Sequence, residues 1–598
     1  MATGKVLIHS NILPIIKKWL YSEKDIFIRE LVSNSCDAIQ KVMVLLERGQ
    51  CQDSETRIDI TIDKTKKTLT VSDTGIGMDT EEVEKYLAQI AFSGAEEFIK
   101  AYELNDPFIG HFGLGFYSAF MVADKVSVHT RSYKGSESVL WESDGSAEYE
   151  ITEGTRKERG TEITLFLNKD SEEYLEESKM RRELERYCAF LPYPIFLNGH
   201  QINGKEFLVL KTPSECTKED YLAFFRFLYP HEEDPLFWIH LNVEYPFRVK
   251  GILYFPRMRK DFDPAKTNVK LFCNRVFVSG DCKDVLPEYL TMLKGAIDSP
   301  DIPLNVSRSY LQVDTTVRQL GAHISKKVQD ALLTLYKQDK DRFFSCWQDC
   351  EIVVKLAILH DEKFYDKAKE FLVWKDTSGT FTTLTEYRER NTQTNDTIFY
   401  IQDETHQLLN VYKDKGIEVL LSSSPLDAPV MAFIEKKESI RFKRIDASLE
   451  SFMCDPTKEK SLLDSDGKTE AVKIADYFRS VLVENDVSVE AKSLASEGIT
   501  GFISLSEEER RLRDYLARIA PEEKSRGIGK KTFIVNTNSP VVTAIFSLQK
   551  TNPEVAHTLA HHLYDLALLS QKEMEPHNMT QFIARSKTLL ETVATTLG

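Results

Sequence analysis

Apolar and polar positions near the N-terminus repeat with the period of an α-helix. The apolar positions fall on one side of such a helix and predict a buried stripe made of Ile26, Leu31, Ile39 and Val42. Directly before this run, Ser22 to Asp25 fits the Ser-x-x-Asp pattern of a capping box. The pattern therefore predicts a helix that begins near residue 26 and is capped by the chain that precedes it.

A second face of the same helix is polar. It carries Glu30, Asn34, Asp37 and Lys41 at spacings of four, three and four residues, so these side chains are neighbours. Such a stripe is most often a solvated surface. The alternative is a magnesium site, in which the side-chain oxygen of Asn34 holds the ion and Glu30, one turn earlier, orients or deprotonates a water molecule.

A hairpin is predicted next, because residues 57–62 and 68–72 alternate in polarity around a polar connection. Asp73 follows the second strand and opens the segment Asp73-Thr-Gly-Ile-Gly77-Met78. This segment is either an ordinary Asp-Gly turn or a binding site in which Asp73 accepts a hydrogen bond from the adenine amino group. A hydrogen bond to a charged group contributes about 1.5–3 kcal/mol, which is enough to select adenine.

A glycine-rich segment precedes the apolar run that ends at Val122. It contains Gly110, Gly113 and Gly115 and is followed at once by Phe116. Glycines that open a helix leave backbone N–H groups free to point at a phosphate, although a structural turn is the alternative. Gly160-Thr161 enters a predicted strand over residues 162–167, and is either a plain strand start or a further nucleotide contact.

Helical spacing returns near the C-terminus. One helix is predicted to begin at Asn552-Pro553. The next carries an apolar stripe over Phe582, Ser586, Leu589, Val593 and Leu597. Periodicity alone does not distinguish a helix packed inside its own domain from one at an interface between two chains.

Composition limits the possible partners and compartment. The 598 residues carry a net charge of −16, which argues against nucleic-acid binding because that needs clustered Lys and Arg. No apolar run has the length of a signal peptide core or a membrane span. The nine cysteines are scattered, which suits a reducing compartment. We therefore expect a cytoplasmic protein with no nucleic-acid and no membrane partner.

Together, the motifs resemble the nucleotide-binding fold shared by ninety-kilodalton heat-shock chaperones, gyrase-type topoisomerases, sensor histidine kinases and mismatch-repair ATPases. Residues 27–38 and 110–120 are similar to the chaperone branch, and the chain length is similar to its bacterial, high-temperature protein G type. Later segments extend the resemblance into the middle domain of that family, at residues 274–278, 286–290, 302–312 and 415–421.

The resemblance implies a multidomain α/β and α+β chain. Its N-terminal ATP-binding domain (residues 1–210) would be a two-layer α/β sandwich of the GHKL, or Bergerat, type with a lid over about 88–115. An α/β middle domain (218–454) and a mainly helical C-terminal dimerisation domain (470–598) would follow. Polar segments near residues 211–220 and 455–470 mark the two boundaries.

The resemblance also implies which residues bind ATP and magnesium. Glu30 is the expected catalytic base, and Arg308 is expected to reach the terminal phosphate from the middle domain. Asn34 is the expected magnesium ligand. The expected nucleotide contacts are Asn34, Asp37, Asp73, Gly77, Met78, Gly110, Gly113, Gly115, Phe116, Thr161 and Arg308.

The implied function is that of an ATP-dependent molecular chaperone. ATP binding and hydrolysis would open and close a homodimer, joined by its C-terminal helices, that remodels partly folded client proteins, with other chaperones among its partners. The lid departs from the family, because Phe92 and Ala95 stand where relatives usually carry Lys and Thr. A phenyl ring cannot replace a positive charge near the phosphates. The alternative is therefore a nucleotide-gated scaffold with little or no hydrolysis.

Overall fold

The computed structural model describes the chain in thirteen segments. These are residues 23–52, 55–89, 92–103, 108–110, 113–146, 148–245, 248–257, 268–280, 285–301, 315–458, 468–483, 487–512 and 530–597. The chain divides into two compact units, Met1–Ala331 and Leu332–Gly598. Across the described segments, every helix is too short or too polar to cross a lipid bilayer.

The first unit begins with an eight-stranded sheet and the helices around it. The strand order is β5-β4-β3-β6-β2-β1-β7-β8. The helices are α1 (Ile26–Glu47), α2 (Thr80–Tyr86), α3 (Gly94–Tyr102) and α4 (Glu177–Cys188). The strands are β1 (Ile58–Asp63), β2 (Thr68–Asp73), β3 (Ala123–Arg131), β4 (Val139–Ser143), β5 (Glu150–Glu153), β6 (Gly160–Leu167), β7 (Ile195–Leu197) and β8 (His200–Gln201). A 3-10 helix, Gly115–Met121, precedes β3.

Helix α1 supplies the centre of this core. The predicted stripe is confirmed, since Ile26, Leu31, Ile39 and Val42 are all buried. Burial of each such side chain stabilises the fold by about 1.5–3 kcal/mol. The predicted hairpin is also confirmed: β1 and β2 pair antiparallel, with Ile58 opposite Asp73.

The predicted capping of α1 is wrong for Asp25. Asp25 is the N-cap residue, but it has helical backbone angles and its side chain makes no capping hydrogen bond. Its carboxylate instead accepts a hydrogen bond from the Tyr174 hydroxyl and lies 3.3 Å from the Lys179 Nζ atom. Ser22, the other end of the expected pattern, lies outside the described residues. Contacts from residues about 150 positions away therefore replace the local cap.

The register of three central strands aligns the residues that matter for the site. Thr161 on β6 lies opposite Asp73 on β2, and also opposite Thr130 on β3. One step along the same strands, His129 lies opposite Glu162. A row of polar side chains therefore crosses the sheet where β2 ends.

A second sheet completes the first unit, with strand order β12-β11-β13-β10-β9. The remaining elements are α5 (Lys218–Leu228), β9 (Phe237–Val243), β10 (Val249–Phe255), β11 (Asn268–Cys273), β12 (Val276–Ser279), β13 (Lys294–Asp298) and α6 (Thr315–Gln338), which runs to the end of this unit and beyond. Phe190 and Phe207 stack at 4.5 Å, and Phe207 lies 5.0 Å from Phe272 of β11. These rings join both sheets in one core. The polar segment near 211–220 leads into α5, where Thr217 and Asp220 form a capping box.

The second unit contains three short sheets and nine further α-helices among the described elements. Strands pair as β14-β15, β17-β16-β18 and β19-β21-β20. The helices are α7 (Lys340–His360), α8 (Glu362–Ala368), α9 (Leu384–Arg390), α10 (Leu409–Asp414), α11 (Asp427–Lys437), α12 (Glu470–Val481), α13 (Pro540–Leu548), α14 (Pro553–Ser570) and α15 (Pro576–Leu597). The strands are β14 (Val373–Lys375), β15 (Phe381–Thr383), β16 (Thr397–Ile401), β17 (Leu420–Leu421), β18 (Arg441–Arg444), β19 (Ser488–Lys492), β20 (Gly501–Ser504) and β21 (Thr532–Asn536).

The predicted start of α14 is confirmed. Asn552 is its N-cap and accepts a hydrogen bond from the Val555 N–H group, and Pro553 is the first helical residue. The expected polar boundary at 455–470 lies partly outside the described residues, because 459–467 are not described.

Candidate nucleotide-binding site

A cavity of about 400 Å³ in the first unit is lined by residues of all the N-terminal motifs. Arg308 lies outside the described residues. The other predicted site residues all line this cavity: Glu30, Asn34, Asp37, Asp73, Gly77, Met78, Gly110, Gly113, Gly115, Phe116 and Thr161. Residues more than a hundred positions apart in the sequence therefore face one space.

Glu30 stands at the glycine-rich end of the cavity. Its Oε1 atom accepts hydrogen bonds from the Nε and Nη2 atoms of Arg29, at 3.0 and 2.7 Å, and Arg29 is itself buried. The Oε2 atom points at Gly115, where a Cβ atom would lie only 2.5 Å away. Glycine at 115 therefore allows the carboxylate to approach the backbone of the loop.

Asp37 ties helix α1 to the same loop. Its Oδ1 atom accepts a hydrogen bond of 2.7 Å from the Ile109 N–H group, and its Oδ2 atom accepts one of 2.6 Å from the Gly110 N–H group. On the neighbouring turn, the Oδ1 atom of Asn34 would lie 3.5 Å from a Cβ atom at Gly110. The Asn34 oxygen thus faces the first glycine of the loop.

Asp73 also lines the cavity and is buried. Its Oδ1 atom accepts hydrogen bonds from the Gly75 and Thr161 N–H groups, at 2.8 and 3.3 Å. Burial raises the pKa of Asp73 to about 6, although these N–H groups, the Arg156 charge and the Ser35 hydroxyl favour the carboxylate. Near neutral pH Asp73 is therefore an ionised acceptor.

The segment after Asp73 needs its glycine at 77. Gly77 has a φ of +65°, and a Cβ atom there would collide with the Arg131 carbonyl oxygen of β3. The next residue, Met78, donates its N–H to the Thr130 hydroxyl at 3.0 Å, and this hydroxyl also lies 2.9 Å from that of Thr161. The wall beside Asp73 is therefore fixed by β3 and β6.

Two comparisons with known proteins decide the family. The family model described as "Hsp90 protein" matches residues 198–596. The model described as "Histidine kinase-, DNA gyrase B-, and HSP90-like ATPase" matches residues 22–164. The chain belongs to the Hsp90 family.

Curated relatives agree over most of the chain. The chaperone protein htpG of Bacteroides fragilis (strain YCH46) is 41% identical over 535 residues, which cover 84% of this chain and 78% of the relative. HtpG of Porphyromonas gingivalis (strain W83) is 38% identical, covering 92% and 84%. HtpG of Geobacter sulfurreducens is 30% identical, covering 96% of both chains.

The predicted family, fold class and function are therefore confirmed. This Hsp90-family protein is an ATP-dependent chaperone with an N-terminal ATPase domain of the GHKL type. Nucleotide binding belongs to that domain, and client binding and dimerisation belong to the family.

The chain at the start of α3 carries Phe92 and Ala95, the two residues at which the sequence departs from the expected pattern. Phe92 stacks on Tyr86 of α2, with ring centroids 6.0 Å apart and an interplanar angle of 18°. The Nζ atom of Lys85 lies 5.2 Å from the Phe92 ring and forms an ion pair of 2.8 Å with Glu97 of α3. Ala95 is buried in the first turn of α3. An aromatic and ionic cluster thus joins α2 to α3 and the residue before it.

A second contact joins the chain before α3 to the glycine-rich segment after it. Gly113 has a φ of +63°, and a Cβ atom there would collide with the backbone carbonyl of Phe92. Gly113 and Phe92 are therefore in direct backbone contact on either side of α3.

Lys41 is a cavity residue that the predicted contacts omit. Five carboxylates line the cavity, from Glu30, Asp37, Asp73, Glu82 and Glu97. Among the described lining residues Lys41 is the only lysine. Burial lowers the pKa of Lys41, and the nearby carboxylates oppose that shift. The sequence did contain a signal for Lys41, because it lies on the polar face of α1 and that face turns toward the cavity.

Proposed function

We propose that this chaperone hydrolyses ATP with magnesium in the cavity described above. The observation that carries the proposal is the approach of Glu30 to the glycine-rich loop, where its Oε2 atom would be 2.5 Å from a side chain at Gly115. A carboxylate at the phosphate end of a nucleotide cavity is well placed to orient and deprotonate a water molecule. The paired Arg29 holds the other oxygen of Glu30 and so fixes the orientation of the carboxylate.

The nucleotide would lie with adenine at Asp73 and phosphates at the loop. Asp73 and Thr161 would receive the adenine amino group, beside Gly77 and Met78. Gly110, Gly113 and Gly115 would give the phosphates access to backbone N–H groups. Lys41 would offset part of the negative charge that the cavity carboxylates and the phosphates share.

Magnesium fits this site through a single protein ligand. Asn34 offers an amide oxygen that faces Gly110. Among the residues that the structure describes, no group of three or more acidic, His or Cys side chains is arranged to hold a metal. Mg²⁺ commonly combines one or two protein oxygens with substrate phosphates and water, and supplies charge neutralisation there. Asn34 would therefore hold the ion together with the nucleotide.

Arg308 would complete the site from the middle domain, as the family resemblance implies. The proposed domain limits are 1–210, 218–454 and 470–598, with a lid over about 88–115. ATP turnover would then drive a cycle of opening and closing in a cytoplasmic homodimer that acts on partly folded clients.

The C-terminal helices support the dimer. On α15, Phe582 stacks on His562 of α14 at 5.0 Å, so one side of α15 packs inside the unit. Ile583, Leu590 and Val593 remain 60%, 70% and 54% exposed in the single chain. An exposed apolar stripe of this kind marks a surface that a second copy would cover.

Steady-state ATPase and ADP-binding measurements on Glu30→Ala test the proposal. We expect the variant to bind ADP as the wild type does and to lose at least about 100-fold in turnover, the usual contribution of a general base. Glu84→Ala, an exposed carboxylate on α2, is the matched control and should turn over normally. Absence of wild-type turnover above the level of a Glu30→Ala preparation would instead favour the non-hydrolysing scaffold.

A further inference from the structure

The loop between β5 and β6 lies behind the proposed adenine end of the cavity and does not line it. Histidine 129 of β3 organises this loop: its Nε2 atom accepts hydrogen bonds from the Thr155 and Arg156 N–H groups, at 2.8 and 2.9 Å. Gly154 packs so closely that a Cβ atom there would lie 2.7 Å from the same Nε2 atom. An atom that accepts two N–H groups must itself be unprotonated, so His129 is neutral and carries its proton on Nδ1.

The loop in turn supports the backbone around Asp73. The Arg156 Nη2 atom donates to the Asp73 carbonyl oxygen at 3.1 Å, and its Nη1 atom donates to the Ser72 hydroxyl at 3.4 Å. Arg159 adds a hydrogen bond of 2.9 Å to the Gly75 carbonyl oxygen and another to that of Thr74. Two guanidinium groups therefore hold residues 72–75 from outside the cavity.

We propose that His129 and Arg156 are positioning residues for adenine recognition. Neutral His129 orders the loop, and the loop holds the Arg156 guanidinium behind Asp73. Nucleotide affinity then depends on two side chains that do not touch the nucleotide. This inference rests on the proposed role of Asp73 as the adenine acceptor.

The charges around these groups agree with the proposed roles. The Arg156 guanidinium favours the ionised form of Asp73 and so lowers a pKa that burial raises. Burial and the Arg156 charge lower the pKa of His129, while Glu162, its neighbour on β6, raises it. From β4 the residue opposite His129 is Leu140, which does not titrate. Protonation of His129 would turn its Nε2 atom into a donor facing two N–H groups and would release the loop.

Titration calorimetry of ADP with magnesium on the full-length chain tests the Arg156 step. At pH 7 we expect Arg156→Ala to weaken ADP affinity about tenfold, the size of one lost charge-assisted hydrogen bond. The pH at which affinity falls to half should also move upward, because Asp73 loses the charge that favours its ionised form. Arg156→Lys keeps the positive charge and should return the midpoint most of the way to its wild-type value. Lys157→Ala, which removes an exposed cation of the same loop, should behave as wild type.

The His129 step has its own pair of variants. Gln places a non-titrating acceptor near the position of Nε2, so His129→Gln should keep ADP affinity and stay less sensitive to acid than wild type. His129→Phe removes the acceptor and should weaken affinity as Arg156→Ala does. Thermal melts of each variant confirm that the domain is folded.

The outcomes separate this inference from the proposed function. Wild-type affinity in Asp73→Asn would overturn the adenine assignment itself. If Asp73→Asn abolishes binding while Arg156→Ala leaves both affinity and its pH midpoint unchanged, only the positioning role is wrong. Equal losses in Arg156→Ala and Arg156→Lys with no movement of the midpoint would also overturn it, because a structural defect alone gives that result.

Discussion

Asp37 and Gly110 are joined by a hydrogen bond of 2.6 Å from the Gly110 N–H group to the Asp37 carboxylate. The other carboxylate oxygen accepts from the neighbouring Ile109 N–H group at 2.7 Å. The start of the glycine-rich loop is therefore held by helix α1, which also carries Glu30 and Asn34. One side chain thus sets the distance between the proposed base, the proposed magnesium ligand and the loop.

Substitution of Asp37 by Asn should loosen this attachment. Asn has one acceptor oxygen, so its NH₂ group would face one of the two N–H donors and leave it unpaired. Each hydrogen bond to a charged group contributes about 1.5–3 kcal/mol, and we expect ADP affinity to fall by at least about tenfold. Calorimetry measures this change, with Asp124→Asn at an exposed position as the control. Unaltered affinity would show that the loop does not depend on Asp37.

Nucleotide affinity should fall as the pH is lowered through about 6. The pKa of Asp73 is raised to about 6, so the side chain is ionised above that value and protonated below it. The adenine amino group is a donor and binds the carboxylate more strongly than the neutral acid. ADP titrations between about pH 5 and 8 check this, with melts of the unliganded protein to exclude acid unfolding. An affinity that is constant across that range would contradict the assignment.

A side chain at Gly113 should disrupt its backbone contact with Phe92. Gly113→Ala would combine a left-handed backbone, at about 1–2 kcal/mol, with a collision against the Phe92 carbonyl. We expect weaker ADP binding and a lower melting temperature. Gly135 is the matched control, because it has a φ of +80° with no atom within 4 Å of its Cβ position. Gly135→Ala should carry the backbone strain alone. Equal losses of ADP affinity and melting temperature in both variants would show that the Phe92 contact contributes nothing.

A charge on the exposed stripe of α15 should separate the proposed dimer. Leu590 is 70% exposed in the single chain. Leu590→Asp should therefore hardly change the free energy of unfolding of one chain by itself. In a dimer interface the buried carboxylate would be costly, and sedimentation should shift to the monomer. Thr588→Asp places the same charge on the opposite side of the helix and should remain dimeric. A Leu590→Asp variant that sediments as wild type would exclude this stripe as the interface.

The sequence was sufficient for features that depend on neighbours along the chain. The buried stripe of α1, the β1–β2 hairpin and the Asn552 cap all follow from spacing and residue type. Local reasoning was wrong at Asp25, because Tyr174 and Lys179 take its carboxylate from far along the chain. The anchoring of the loop by Asp37 was likewise not visible, since its partners are 72 and 73 residues away.

The same limit applies to residues behind the site. His129 and Arg156 carry no motif, and the pairing of β6 with both β2 and β3 brings them to Asp73. Lys41 was visible as a member of the polar face, but the spacing did not show which members reach the cavity. The family resemblance supplied roles for motif residues, and it supplied none for these three.

The contact between Phe92 and Gly113 makes the intervening chain a loop whose two ends already meet. The entropy lost in bringing such ends together grows only slowly with loop length, and here it is lost when the protein folds. Binding of a nucleotide then does not have to bring these two ends together. Changes in the length of that interior should therefore be tolerated more readily than a change at either anchor.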